Sequence, residues 1–511
     1  VRALERNGNM PKVATRYGVV AGRMDAASRV SSFKGIPFAA PPVGDRRWRE
    51  PVPPTAWKGI RDGSQFGASC MQRVHGDMLP WTKEFLVQGR VSEDCLYLNV
   101  WTPRTQSSAN LPVIVFVHGG GFVEGSGSIA VYDGTRLAST GVVVVTINYR
   151  MGVFGFLAYP GLTAESRHHS SGNYGLLDQI AALRWVQGNI RNFGGDPRKV
   201  TVWGQSAGAM SVGALLASPP AKGLLQRAMA DSGIGIASFP VPNLQTAEQA
   251  GVRFAADHHA QNLEQLRSIP AEHLLPSPEN HSLGFGPIVD GWVLPQAPNA
   301  VNRGPGGSDV PVIAGNQAND RLLGAPPVRT LKQFDEVAQR RFGPMAEEFE
   351  RLYTVGADDG AQVQRVMEES DRDRERVSLF LWAKARLQHH KSPVYTYFFT
   401  RGIPWPQHPE FGAFHTGELP YFFRNLQALD RPWQPADFEV SRIASGYLKA
   451  FAAAGDPNAA GLPEWPAVKP TAPETMDLGE KMQPMPLADR ARYEFWVKYF
   501  NSPASRNAPL F

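Results

Sequence analysis

Val200-Thr201-Val202-Trp203-Gly204-Gln205-Ser206-Ala207-Gly208-Ala209 is the stretch on which the fold turns. Alternating β-formers run into a Gly-x-Ser-x-Gly pentapeptide, and Met210, Ser211, Val212, Gly213, Ala214, Leu215 and Leu216 follow. The first half predicts a strand and the second a helix buried on most sides. A corner this tight brings the backbone around Ser206 into close approach, so a Cβ at position 204 or 208 would clash. Ser206 is therefore expected at a strained φ/ψ, its hydroxyl above the carboxyl end of a sheet and facing the N-terminus of the helix. An ordinary strand-to-helix turn is the competing reading, because the pentapeptide alone recurs by chance. The flanking strand and small-residue helix favour a nucleophilic serine.

The 511 residues are 42% hydrophobic and 19% charged, the composition of a folded globular chain. The formal charge of +5 comes from 52 basic and 47 acidic residues with no Lys/Arg block, which argues against nucleic acid as a partner. No apolar run approaches the ~20 residues that span a bilayer. The longest, Gly141-Val142-Val143-Val144-Val145-Thr146-Ile147, reads as a buried strand from its β-branching. Val1 to Lys12 is polar and lacks a signal-like apolar segment, so the chain is either cytoplasmic or numbered from beyond a removed signal. Cys70 and Cys95 are the only cysteines, and their number leaves a disulfide and two buried thiols both open. A bridge there would contribute roughly 3 kcal/mol in the chain-entropy picture.

Short strands and turns are expected over 13–50, broken by Pro41-Pro42-Val43-Gly44. An aromatic, loop-rich segment follows from Pro51 to Arg90, with Trp57, Phe66, Trp81 and Phe85; covering a cleft and packing on the core are equally open for it. Leu96–Trp101 and Leu111–Val117 read as strands, the second fully apolar and ending in His118-Gly119-Gly120-Gly121-Phe122. Three glycines directly after a buried strand let backbone N–H groups turn toward a ligand, here an oxyanion. Gly120 and Gly121 are the expected donors, joined by the N–H of Ala207. An amphipathic helix is expected over Asn173–Ile190, with further strands at Leu225–Ala230, Val310–Gly315 and Pro393–Phe399 and a helix over Ser441–Ala454. Residues 331–392 are mainly helical and charged, and the run Glu368 to Arg376 is most simply a solvated helix face. Alternating strands and helices predict an α/β fold with a large, mostly parallel, doubly wound sheet.

A serine nucleophile needs a base and an acid to orient it, in the chain order Ser, Asp/Glu, His for this architecture. Among 12 histidines, His415 lies in a Gly/aromatic loop after a strand. Asp320 follows the strand ending at Gly315; Asp290 and Glu418 compete with it on residues alone. No His/Cys cluster has ligand spacing, so neither a metal nor an organic cofactor is expected.

Gly35-Ile36-Pro37-Phe38-Ala39, Ser92-Glu93-Asp94-Cys95-Leu96-Tyr97-Leu98-Asn99-Val100, the triple glycine, Asn148-Tyr149-Arg150, Gly172 to Gln179 and the serine corner together resemble the type-B carboxylesterase/cholinesterase family of α/β-hydrolases over nearly the whole chain. The resemblance implies one α/β-hydrolase domain over 1–511, with an N-terminal antiparallel strand region and a mainly helical insertion at about 321–392. It implies Ser206 as nucleophile, Asp320 as acid, His415 as base at the head of His-x-x-Glu, and a Cys70–Cys95 disulfide. Two residues depart from the family pattern. Asp320 stands where Glu is usual, one methylene shorter, and Gln205 stands before the serine where relatives carry Glu. The second change removes a buried negative charge near His415 and argues against choline esters.

The expected function is a serine carboxylesterase acting through an acyl-enzyme on a small-molecule ester. A lipase or other acyl hydrolase, or a non-catalytic binding module of the same fold, are the alternatives. Pocket residues are sought at Gln205, Phe122, Trp81, Phe285 and Trp405. The cysteine pair favours a secreted or periplasmic protein, as monomer or dimer.

Overall fold

Val113 to Val117 and their neighbours explain the sheet. Alternate side chains of the central strands enter two different cores, one holding Val115, Val145 and Val202, the other Phe116, Val144, Trp203 and Met229. A sheet covered on both faces needs apolar residues at every position, and the central strands supply them. The computed structural model describes residues 10–236, 241–276, 284–320, 328–357, 359–479 and 481–507.

The strands that carry the site are β1 (Leu111–Val117), β2 (Val143–Ile147), β3 (Gly195–Gln205), β4 (Arg227–Asp231), β5 (Val312–Gln317) and β6 (Val394–Phe399). They lie in the order β2-β1-β3-β4-β5-β6, all parallel, in an 11-stranded sheet. Tyr97–Thr102, Ser31–Pro37 and Arg23–Met24 extend one edge antiparallel. Glu474–Leu478, parallel to β6, and Gln483–Pro486 extend the other. Lys12–Thr15 and Gly18–Ala21 form the expected N-terminal antiparallel pair. The parallel strands all deliver their carboxyl ends to one rim, the side on which open α/β sheets bind their ligands.

Four helices matter for the site: α1 (Tyr174–Asn189), α2 (Ala207–Ala217), α3 (Gly360–Leu387) and α4 (Pro435–Ala454). Three expectations need correction. α1 is buried almost all round rather than amphipathic, because its polar residues find partners inside. Asp178 pairs with the Arg150 guanidinium at 2.8 Å, and Gln179 donates to Ser211 at 3.0 Å. The charged run Glu368 to Arg376 on α3 is not a solvated face either: Ser370, Asp373, Arg374 and Glu375 are buried. Arg376 pairs with Asp373 at 2.5 Å, and the Tyr353 hydroxyl donates to the same carboxyl at 2.8 Å. Charges that satisfy one another can be buried where isolated ones cannot. α4 begins earlier than expected, at Pro435, under a reciprocal cap between Gln434 and Asp437. Cys70 and Cys95 are joined as a disulfide. Among the described residues no helix is long and apolar enough to cross a membrane.

Candidate active site

The corner at Ser206 has the strain expected of it. Its φ is 57° and ψ −124°, a conformation an L-residue adopts only under external constraint. The constraint is visible in its neighbours. A Cβ on Gly204 would sit 2.1 Å from the Gly208 carbonyl oxygen, and one on Gly208 would sit 2.0 Å from that of Val117. The Ser206 N–H donates to the Asp231 carbonyl at 2.8 Å, and its carbonyl accepts from Met210 as α2 begins. Gln205 and Ala207 are buried, while Ser206 between them is partly open to solvent.

The glycine loop after β1 passes directly beside this corner. A Cβ on Gly119 would lie 2.9 Å from the Ser206 Cβ. Gly120 and Gly121 take φ of +102° and +60°, and their N–H groups donate to no protein acceptor among the described residues. His118 anchors the loop. Burial pushes its imidazole down to about 4, so the ring is neutral at neutral pH, and Nδ1–H donates to the Gly119 carbonyl at 2.8 Å. Tyr149 stacks on it at 4.5 Å and donates its hydroxyl to the His118 carbonyl at 2.9 Å.

Asp320 and His415 are brought together by paired loops beyond β5 and β6. The Asn319 N–H donates to the Ala413 carbonyl at 3.0 Å, and Asn319 Oδ1 accepts from the Ala413 N–H at 3.2 Å. Asp320 then meets His415, Oδ1 to Nδ1, at 2.5 Å. Its other oxygen accepts from the Ser232 hydroxyl and from the Gln317 N–H at 3.3 Å. On the far side of the ring, Gln205 Nε2 lies 3.3 Å from His415 Nε2. Trp81, from inside the disulfide loop, donates its indole N–H to the His415 carbonyl at 3.1 Å and to Thr416 Oγ1 at 2.8 Å.

The competing acids fall elsewhere. Asp290 organises its own loop, accepting from Ser170 at 2.7 Å and from the Leu294 N–H at 2.8 Å. Glu418 is fully buried, and burial together with the charge of Asp231 raises it well above the usual carboxyl range. Asp231 lies with it. Burial pushes Asp231 up to about 7 even though the Trp203 indole donates to it at 2.5 Å. Glu375 is raised as well, by burial and by nearby Asp320. Crowding carboxyls in a low-dielectric core favours their neutral forms. Ser232 and Asp231 were not expected at the site. Their signal was present in Asp231-Ser232-Gly233, a polar pair closing a buried strand next to β3.

The expected pocket residues divide. Trp81 lies 6.3 Å from His415, centroid to centroid, and Phe122 packs edge-on against Phe156 at 5.2 Å. Phe285 packs on Phe254 at 5.3 Å. Trp405 lies under the Arg431 guanidinium at 3.9 Å and against Phe411 at 5.4 Å.

A parallel-rich sheet with a strained serine after β3, a glycine loop after β1 and an acid–histidine pair after β5 and β6 is that of an α/β-hydrolase. The model of the carboxylesterase family matches residues 9–496, and the chain belongs to that family. It is 38% identical over 478 residues to a fumonisin B1 esterase of Sphingopyxis macrogoltabida, covering 88% of this chain and 83% of the relative. It is 36% identical over 500 residues to a para-nitrobenzyl esterase of Bacillus subtilis, covering 92% and 95%. A solved PNB esterase structure superposes with a TM-score of 0.79 at 32% identity over 96% of this chain and 99% of that one. The protein is a carboxylic ester hydrolase.

Proposed function

We propose that ester hydrolysis proceeds through an acyl-enzyme on Ser206, with His415 as general base and Asp320 as the acid that orients it. The observation that carries this reading is the 2.5 Å contact between His415 Nδ1 and Asp320. It fixes a proton on Nδ1 and leaves Nε2 as the basic nitrogen. His415 takes the Ser206 proton as Oγ attacks the ester carbonyl. The N–H groups of Gly120, Gly121 and Ala207 receive the oxyanion, each donor contributing ~2.7–4 kcal/mol to the barrier reduction. His415 next protonates the leaving alcohol, then activates water to release the acid.

Trp81 and Phe122 are the best-supported pocket walls. Gln205, uncharged, favours neutral or anionic esters over cationic ones. The single sheet running from Arg23 to Pro486 supports one catalytic domain, and the Cys70–Cys95 bond supports an oxidising, extracytoplasmic setting. A second reading, hydrolysis at a lipid surface, draws on Val74, Met78 and Leu79, large apolar side chains exposed on the disulfide loop. Emulsified triglyceride against soluble nitrophenyl butyrate separates the two.

The nucleophile is tested by reacting the protein with a nitrophenyl phosphonate and mapping the adduct by peptide mass spectrometry. One adduct per chain on Ser206 is expected; an adduct on any other serine overturns the assignment.

A further inference from the structure

Gln72 stands two residues beyond Cys70, in the loop closed by the disulfide, and has no part in the mechanism above. It is buried, and its amide meets both main-chain groups of one residue on the glycine loop. Oε1 accepts from the Gly125 N–H at 2.7 Å. Nε2 donates to the Gly125 carbonyl at 2.8 Å and to the Cys70 carbonyl at 2.9 Å. The amide oxygen and both amide hydrogens are engaged, which fixes the way the amide faces. Gly125 in turn is packed against the root of the glycine loop. A Cβ on it would lie 2.4 Å from His118 Nδ1 and 2.6 Å from the Gly119 carbonyl oxygen.

A planar trans peptide points its C=O and its N–H in opposite directions, so an N–H is aimed by whatever holds the carbonyl of the same peptide. The Gly120 N–H shares a peptide with the Gly119 carbonyl, which accepts from His118 Nδ1–H at 2.8 Å. The Gly121 N–H shares one with the Gly120 carbonyl, which accepts from the N–H groups of Val123 and Glu124 at 2.9 and 3.0 Å. Glu124 is joined directly to Gly125, and Gln72 holds the peptides on both sides of Gly125. Gln72 therefore anchors the turn from Gly120 to Glu124 at its far end.

We propose that Gln72 is a positioning residue for the oxyanion hole: by clamping Gly125 it holds the Gly120–Glu124 turn in the shape that faces the Gly120 and Gly121 N–H groups toward the oxyanion. The inference rests on the Ser206–His415–Asp320 reading with those two glycines as donors. In acylation Ser206 Oγ bonds to the ester carbon and its proton goes to His415. In deacylation the oxygen of water does so, with its proton to the same nitrogen. In both steps the carbonyl oxygen takes the displaced electron pair, so both barriers rise when the donors turn away. The bound ester, whose carbonyl is neutral, loses little. A clamp that served only the fold would lower the melting temperature and leave each folded active site at wild-type rates.

The test compares the full chain with its Q72M variant, of similar length but without the amide, after active sites are counted by nitrophenyl phosphonate titration. With p-nitrophenyl acetate, the nitrophenol burst rate and kcat are both expected to fall by about 10- to 100-fold in Q72M, with KM little changed. Trifluoroacetophenone, whose carbonyl adds Ser206 Oγ to leave an oxyanion, is expected to bind more weakly by the same factor as the loss in kcat/KM. Acetophenone, bound without such an adduct, is expected to keep its affinity. Wild-type rates per active site, a loss confined to KM, or a fall in kcat with trifluoroacetophenone binding unchanged overturns the proposal. If Q72M does not accumulate as folded protein, Q72E carries the same comparison, because it keeps an acceptor for the Gly125 N–H and loses both donated bonds. Phosphonate labelling of the wild type separates the two levels. An adduct absent from Ser206 overturns the triad reading, whereas a labelled Ser206 with wild-type rates in Q72M overturns only the role of Gln72.

Discussion

Asp320 holds His415 at 2.5 Å through Oδ1 while Ser232 occupies Oδ2 of the same carboxyl. Asp320 is one methylene shorter than a Glu at this position would be. The gap is closed by backbone, because Asn319 and Ala413 bond to each other on the two converging loops. Ser232, also in a left-handed conformation at φ 54°, fixes the carboxyl plane from beneath.

Asp320→Asn should therefore leave the loops in place and spoil the tautomer. Its amide can present N–H to Nδ1, which drives the ring proton to Nε2 and blocks proton uptake from Ser206. A fall in kcat of about 10⁴-fold with little change in KM is expected. Steady-state hydrolysis of a nitrophenyl ester checks it, and a near-normal kcat would move the role of acid to another carboxylate.

Gly120→Ala tests the glycine loop. Gly120 sits at φ +102°, and a Cβ there would lie 2.1 Å from the Glu124 carbonyl oxygen. The loop must shift, which withdraws the N–H proposed above to receive the oxyanion. A loss of about 10²- to 10³-fold in kcat is expected, with a circular dichroism spectrum like that of the wild type.

Asp231 makes stability depend on pH. Its carboxyl is raised from an ordinary carboxylate value to about 7 by burial. Between roughly pH 4 and pH 7 the folded chain keeps a proton that the unfolded chain has released, so stability falls as pH rises through that window. Asp231→Asn removes this contribution while preserving an acceptor for the Trp203 indole. The melting temperature of the variant relative to wild type should rise between pH 5 and pH 8; a constant difference across that range contradicts the assignment.

Reduction of the Cys70–Cys95 bond should lower the melting temperature, corresponding to roughly 3 kcal/mol, and it should loosen Trp81, which sits inside the loop and bonds to His415. Differential scanning calorimetry with and without dithiothreitol, alongside kcat, reads both effects.

Much of this was legible because it is local. The corner at Ser206 and the loop at Gly119-Gly120-Gly121 are dictated by residues adjacent in sequence, where a missing Cβ has one steric meaning. Strand order alone left Asp290 and Glu418 open beside Asp320, and it was the family resemblance that singled out Asp320 and His415, which the fold brings into contact. What stayed hidden was created by tertiary contact. Asp373 looks like part of a wet helix face until the Tyr353 hydroxyl and the Arg376 guanidinium pair with it. Ser232 looks like a turn residue until Asp320 lies over it. α1 looks amphipathic because nothing in its sequence shows that Arg150 waits for Asp178.

The central claim is that Ser206 forms the acyl-enzyme. It is tested most directly by the turnover of a short nitrophenyl ester by Ser206→Ala, purified free of host esterases. The serine reading predicts a fall in kcat of about 10⁶-fold with an unchanged melting temperature. Hydrolysis at a rate near that of the wild type would contradict it.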